Sequence, residues 1–146
     1  MLSFSAGPGN KSTIKTLTEL ETYTTRGLRS ALFDIGFKNA RDAGDLINNE
    51  SRSGRVYFVK GTPHQSSAPG EAPANMSGRL KKSMNYLVRG YHEVEFGSTA
   101  RHALWLEEGT KLIQPRPFLI KVATFRQTEA ISTIEKMVHD EIKRRR

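Results

Sequence analysis

One periodicity constrains this chain more than any other feature. Apolar or small residues recur at Ile14, Leu17, Leu20, Leu28, Ala31, Leu32, Ile35, Ala43, Leu46 and Ile47. That is helical spacing, held in phase for over 30 residues. Helix signals begin at Ser12 and Thr13, and the pattern ends at Asn48-Asn49-Glu50-Ser51. Gly27, Gly36 and Gly44 interrupt it. Each costs about 1 kcal/mol relative to alanine in a helix, yet a glycine on a packed face also lets a neighbouring element approach closely. One long helix and two shorter ones both fit. The residues before it, 1–12, are small and polar and are expected as an extended arm.

The middle of the chain changes character. Arg55 to Lys60 is β-rich and short, a strand. Residues 61–76 carry Pro63, Pro69, Gly70 and Pro73 and are expected as one long irregular loop. Ser77 to Met84 reads as a short helix. Asn85–Arg89 and Tyr91–Phe96 alternate as two strands around Gly90, with Tyr91, Glu93 and Glu95 on one side and His92, Val94 and Phe96 on the other. Ala100 to Glu108 forms a short helix stopped by Gly109, and Lys111–Pro117 is a loop. From Phe118 to about Lys143 the helical period returns at Leu119, Val122, Ala123, Ala130, Ile134, Met137, Val138 and Ile142. The predicted class is α+β: a long N-terminal helix, a small mainly antiparallel sheet, short helices, and a C-terminal helix packed on the sheet. At 146 residues the chain is expected to be a single domain.

Charge divides the same way. The net charge is +8, but residues 1–50 are neutral. Residues 51–82 carry +5 and the basic tail 143–146 carries +4, leaving the rest at −1. A DNA reader spreads basic side chains along one face and interleaves aromatic or amide groups for bases, and neither segment does so. Arg79, Lys81 and Lys82 can nevertheless contact phosphate or an acidic partner surface. Cysteine is absent, which excludes disulfides, thiolate metal sites and a cysteine nucleophile. No apolar run approaches the roughly 20 residues of a membrane span, and no basic and apolar leader follows Met1. The expectation is a cytoplasm-made protein with no membrane partner.

Catalytic signatures are missing. His64, His92, His102 and His139 have no metal-ligand spacing, and no hydrolase elbow or phosphate loop occurs. Glu107 and Glu108 are adjacent, so a helix splays them by about 100°; one packed and one solvated carboxylate is preferred over an acid/base pair. No enzyme, cofactor, metal or catalytic residue is expected. A small hydrolase rests only on the Glu and His residues near 102–108 and is the weakest reading.

Two loops stand out: His64–Ala74 leading into Ser77–Ser83, and Ala103–Thr110 leading into Pro115–Leu119. Proline-restricted loops lose little entropy on docking and suit protein contacts. Together they resemble the tail-completion, or neck (head–tail joining), proteins of long-tailed bacteriophages. Those proteins carry a Ser-x-Pro-Gly-Glu-x-Pro loop, here Ser67 to Pro73, and a Thr/Ser-Gly-x-Leu-x-x-Ser segment, here Ser77 to Ser83. A Tyr/His-Ala-x-x-x-Glu-x-Gly-Thr stretch follows, here His102 to Thr110, and then a Pro-Phe-Leu start to the last helix, here Arg116 to Leu119. Order and spacing match over about residues 55–125. Ala72 departs where a second proline is common, and His102 where tyrosine is commoner.

The resemblance implies a virion structural protein of the neck with no catalytic role. It implies a homo-oligomeric ring, expected to be a hexamer, that completes the tail tube. Its partners would be the tail tube or terminator protein and the head-side connector or stopper, with genomic DNA passing through the lumen. By motif, the interface residues are His64, Ser67, Pro69, Gly70, Glu71, Pro73, Gly78, Leu80, Glu107, Gly109, Thr110, Arg116, Pro117 and Phe118. Arg116, held between two prolines, is expected to meet a carboxylate, with Glu107 or Glu108 nearest, across a subunit boundary or within the chain. The alternative is a non-specific DNA-binding protein, motivated by the charge.

Overall fold

The computed structural model describes the backbone of residues 8–144 and the side chains of residues 15–144. It is α+β. Helix α1 (Pro8–Asn49) is followed by a hairpin of β1 (Val56–Val59) and β2 (Thr62–Gln65), then the short helix α2 (Arg79–Lys82). A second hairpin, β3 (Met84–Arg89) and β4 (Glu93–Ser98), leads to α3 (His102–Glu108) and α4 (Leu119–Lys143).

The first periodicity folds as one uninterrupted helix of 42 residues. Two of its glycines are sites of close approach. A side chain at Gly27 would meet the α4 backbone, 2.8 Å from Val138 Cα. One at Gly36 would strike the β3–β4 hairpin, 2.5 Å from Tyr86 Cδ2 and 2.8 Å from Val94 Cγ2. The helix continues through its glycines because packing against neighbours offsets their low propensity.

Helix α4 runs antiparallel to α1. Lys121 pairs with Glu50 at 2.8 Å, Arg126 with Asp42, and Lys38 with Glu129 at 3.5 Å, so numbers rise on one helix as they fall on the other. With Gly27 beside Val138, the end of α4 at Lys143 lies near residue 22 of α1. The preceding stretch of α1 extends past it by roughly 20 Å at 1.5 Å per residue. Leu17 and Leu20 on that stretch are exposed.

Four expectations are corrected. The arm expected over 1–12 is helical from Pro8 onward, and residues 1–7 lie outside the described residues, as do 145 and 146 of the basic tail. The segment 61–76 is not wholly irregular. Thr62–Gln65 pairs antiparallel with Val56–Val59, and Pro63 is opposite Phe58. A two-stranded hairpin has an outward edge on each strand, where a proline's missing N–H costs nothing. Lys60 and Gly61 make the turn with φ of 49° and 83°, the two positive values a tight hairpin turn needs. The strands form two separate two-stranded sheets rather than one. Finally, α4 lies along α1 rather than over a sheet face, and it is α1 that supports β3–β4. The helix has two working sides, one closed on α4 at Gly27 and one on the hairpin at Gly36.

The core gathers where these elements end. Ala43 and Ile47 of α1, Ala72, Leu80 of α2, Ala103 of α3, and Phe118 and Val122 at the start of α4 form one buried cluster. Phe118 and Ile47 are its largest fully enclosed side chains.

Candidate functional site

The four motif segments come together beside this core, and the links between them run largely through backbone N–H groups. The Gly70 N–H donates to the Pro115 carbonyl at 2.9 Å, and the Arg116 N–H to the Leu106 carbonyl at 2.7 Å. Arg116 Nε donates to the Ser67 carbonyl at 3.2 Å. Loop 66–73 and loop 109–117 are thereby fastened to each other and to α3.

Three carboxylates complete the framework. Glu107 accepts from the backbone N–H groups of Phe118 at 2.9 Å, Leu119 at 3.0 Å and Ile120 at 2.9 Å. The first turn of a helix leaves such donors unsatisfied. Phe118, at the N-cap position, has no side chain able to serve them, so α3 supplies the cap from outside. Glu71 accepts from the Ser53 hydroxyl, the Ala68 N–H at 2.7 Å and the Ser53 N–H at 3.1 Å. Those bonds, the Ser53 hydroxyl foremost and then the Ala68 and Ser53 N–H groups, hold its carboxyl below the ordinary value of 4.5. Glu50 accepts from the Ala72 N–H and pairs with Lys121 at 2.8 Å.

Within the chain, Arg116 reaches neither Glu107 nor Glu108, which corrects that part of the expectation. Glu107 turns inward to cap α4, and Glu108 stays exposed. Ser67, Pro73, Leu80 and Phe118 are buried, Gly78 and Pro117 are half-buried, and Pro69 and Gly70 form an exposed tip. Gly109 takes a φ of 79° at the end of α3, and the Thr110 hydroxyl accepts from Leu112 and Ile113 N–H at 3.2 and 3.1 Å, holding the turn that follows. Lys81 is engaged with Asp45 at 3.3 Å. Arg79 and Lys82 are exposed, with no ion pair among the described residues.

An open cavity of about 410 Å³ lies between β1–β2, loop 66–78, α3 and Arg116. Its lining includes His64, His102, Arg116 and Tyr57, with Ser66 and Asn75 among the other polar groups and Leu80 and Leu106 among the apolar ones. Among the described residues no carboxylate lines it. Among the described residues no group of three or more His, Cys, Asp or Glu side chains is placed to hold a metal. No helix of the described residues is long and apolar enough to cross a membrane.

Sequence reasoning missed the capping role of Glu107 and the part played by Glu50. The available signal was negative. The last helix opens at Phe118-Leu119 with no Ser, Thr, Asp or Asn at its start, so its free N–H groups needed an acceptor from elsewhere. Comparisons with protein-family models, with curated proteins and with solved structures find no match.

Proposed function

We propose that this chain is a ring-forming structural protein of the neck of a long-tailed bacteriophage virion. Copies of it, six in the simplest reading, complete the tail tube and join it to the head-side connector, with DNA passing through the lumen. Catalysis has no part in this role.

The observation that carries the reading is unspent surface. A subunit inside a ring needs two contact faces, one for each neighbour. Exposed Leu17 and Leu20 on the free stretch of α1, Val56, Tyr57 and Phe58 on the first hairpin, and Leu104 and Trp105 on α3 are the apolar groups such contacts would cover. The order of the four motifs over 55–125 supports the same reading, and the fastened loops supply a rigid frame for these contacts.

Sedimentation velocity and negative-stain imaging of the purified chain test it. A closed symmetric ring is the expected result. A chain that stays monomeric at high concentration, and that is missing from purified particles, overturns the reading.

A second reading, non-specific DNA binding, is favoured by exposed Arg79 and Lys82, which make no ion pair among the described residues. Neutralising both discriminates. Under the ring reading, assembly or docking to the neck partners weakens. Under the DNA reading, only DNA affinity and its salt dependence fall.

A further inference from the structure

We infer that α3 is the joint between neighbouring subunits: the exposed face of α3 in one copy, carrying Leu104, Trp105 and Glu108, docks into the cavity lined by His64, His102 and Arg116 in the next. The inference rests on the ring reading and names its interface.

The geometry of a seven-residue helix carries the argument. At about 100° per residue, α3 divides into three faces. His102 and Leu106 share one, and both line the cavity. Ala103 and Glu107 share the second, where Ala103 is buried in the core and Glu107 caps α4. Leu104 and Glu108 share the third, with Trp105 beside them. Leu104 is 58% exposed and Trp105 54%. Glu108 is exposed and makes no hydrogen bond or ion pair among the described residues.

The two outer surfaces are chemical complements. The cavity offers a fixed guanidinium between apolar groups, Leu80 and Leu106 among them, and small polar ones such as Ser66 and Asn75. Arg116 is anchored through its own N–H to Leu106 and through Nε to Ser67, and no carboxylate of the described residues pairs with it. The exposed face of α3 offers an indole, a leucine and an unpaired carboxylate. Tryptophan and arginine are the residues that most often anchor interfaces. A half-buried guanidinium at the wall of a cavity suits a carboxylate carried on a side chain that can enter it, whereas duplex phosphates need cations that project.

A second copy is the occupant because both halves of the contact lie on one element and point apart. The cavity face and the exposed face of α3 are separated by roughly 140° around the helix axis, so the chain cannot satisfy itself. The contact is heterologous, and a heterologous contact repeats from copy to copy until rotation closes it.

The test uses two variants of the full chain, one without the docking face (Trp105→Ala with Glu108→Arg) and one with the cavity blocked by like charge (His102→Glu). All three positions are outside the core, so circular dichroism melts should match the parent. Each variant alone should be monomeric in sedimentation velocity, with the contact weakened about thirtyfold or more. Mixed in equal amounts, they should form a dimer and nothing larger, because one intact face meets one intact cavity. Variants that assemble like the parent overturn the inference while leaving the ring reading in place. A dimer in the mixture, with a parent that grows open filaments, keeps the joint and overturns the ring. A parent that is itself monomeric overturns both.

Discussion

Hairpin β3–β4 lies against α1, with Tyr86 and Val94 filling the space that a side chain at Gly36 would take, whereas β1–β2 packs on no helix to a comparable extent and leaves Phe58 73% exposed. Both are antiparallel pairs, and an isolated pair is marginal in water. Patterning separates them. Along β3, half-buried and exposed positions alternate strictly from Met84 to Arg89, so one face is free to dock. Along β1, Val56-Tyr57-Phe58-Val59 is apolar on both faces, while β2 is Thr-Pro-His-Gln. The first hairpin is therefore held at its base, by Gly54 N–H to Ser66 and Ser66 N–H to Arg55, each at 3.0 Å, and by the edge-on rings of Tyr57 and His64. One hairpin spends its apolar residues inside the chain, and the other keeps them on the surface.

That contrast can be broken most forcefully at Gly36. Leucine there should lift β3–β4 from α1 and lower unfolding free energy by about 1–3 kcal/mol in denaturant titration. Amide exchange should quicken in β3–β4 and stay unchanged in β1–β2; equal quickening in both would erase the distinction.

Glu107→Gln tests whether the body's stability depends on the cap that α3 supplies. Replacing a charge-assisted cap of three N–H groups by a neutral one should cost about 1–2 kcal/mol. The amides of Phe118, Leu119 and Ile120 should shift most in the nuclear magnetic resonance spectrum, with those of β1–β2 unmoved.

Acid reaches the first hairpin selectively. The Glu71 carboxyl is depressed on folding, so its contribution is present above the ordinary carboxylate value of 4.5 and lost as pH falls through the lowered folded value. Amides of Ser53 and Ala68 should titrate together below pH 4.5, and that of Tyr86, on β3 against α1, should not follow. Glu71→Gln should abolish that titration.

Phe58→Ser should have the smallest effect on folding. A side chain this exposed should leave stability within about 0.5 kcal/mol of the parent. A larger loss in thermal unfolding would mean that β1–β2 is packed in solution after all.

Helices and the second hairpin were legible because their residues repeat with the period of the element they form. Asn85 to Arg89 and Tyr91 to Phe96 announce their strands by alternation, and Leu119 to Ile142 its helix by helical spacing, although Met84, expected in the preceding helix, opens β3. What escaped has no period. Strand β2 hides behind Pro63, whose usual meaning is a loop and whose meaning on an outer edge is neutral. The continuity of α1 through Gly27 and Gly36 depended on partners about 50 to 110 residues away in sequence, Tyr86, Val94 and Val138. The motif segments could be picked out along the chain, but their joining by carboxylates and carbonyls to backbone N–H groups was not legible, because every residue type except proline offers the same N–H. Arg116 illustrates the loss: its charge suggested a carboxylate, while its fixed contacts within the chain are with main-chain groups.

The close crossing at Gly27 gives α1 a mechanical character. The helix is a single rod, clasped by α4 through that crossing as far as about residue 22 and free beyond it for roughly 20 Å. A tilt of about 10° with Gly27 as fulcrum carries the free tip, about 28 Å away, by about 5 Å. The other arm of the same lever bears on Tyr86 and Val94 at Gly36. Whatever grips the tip therefore pulls on the second hairpin, and a load applied at one end of the molecule is felt as a displacement in its body.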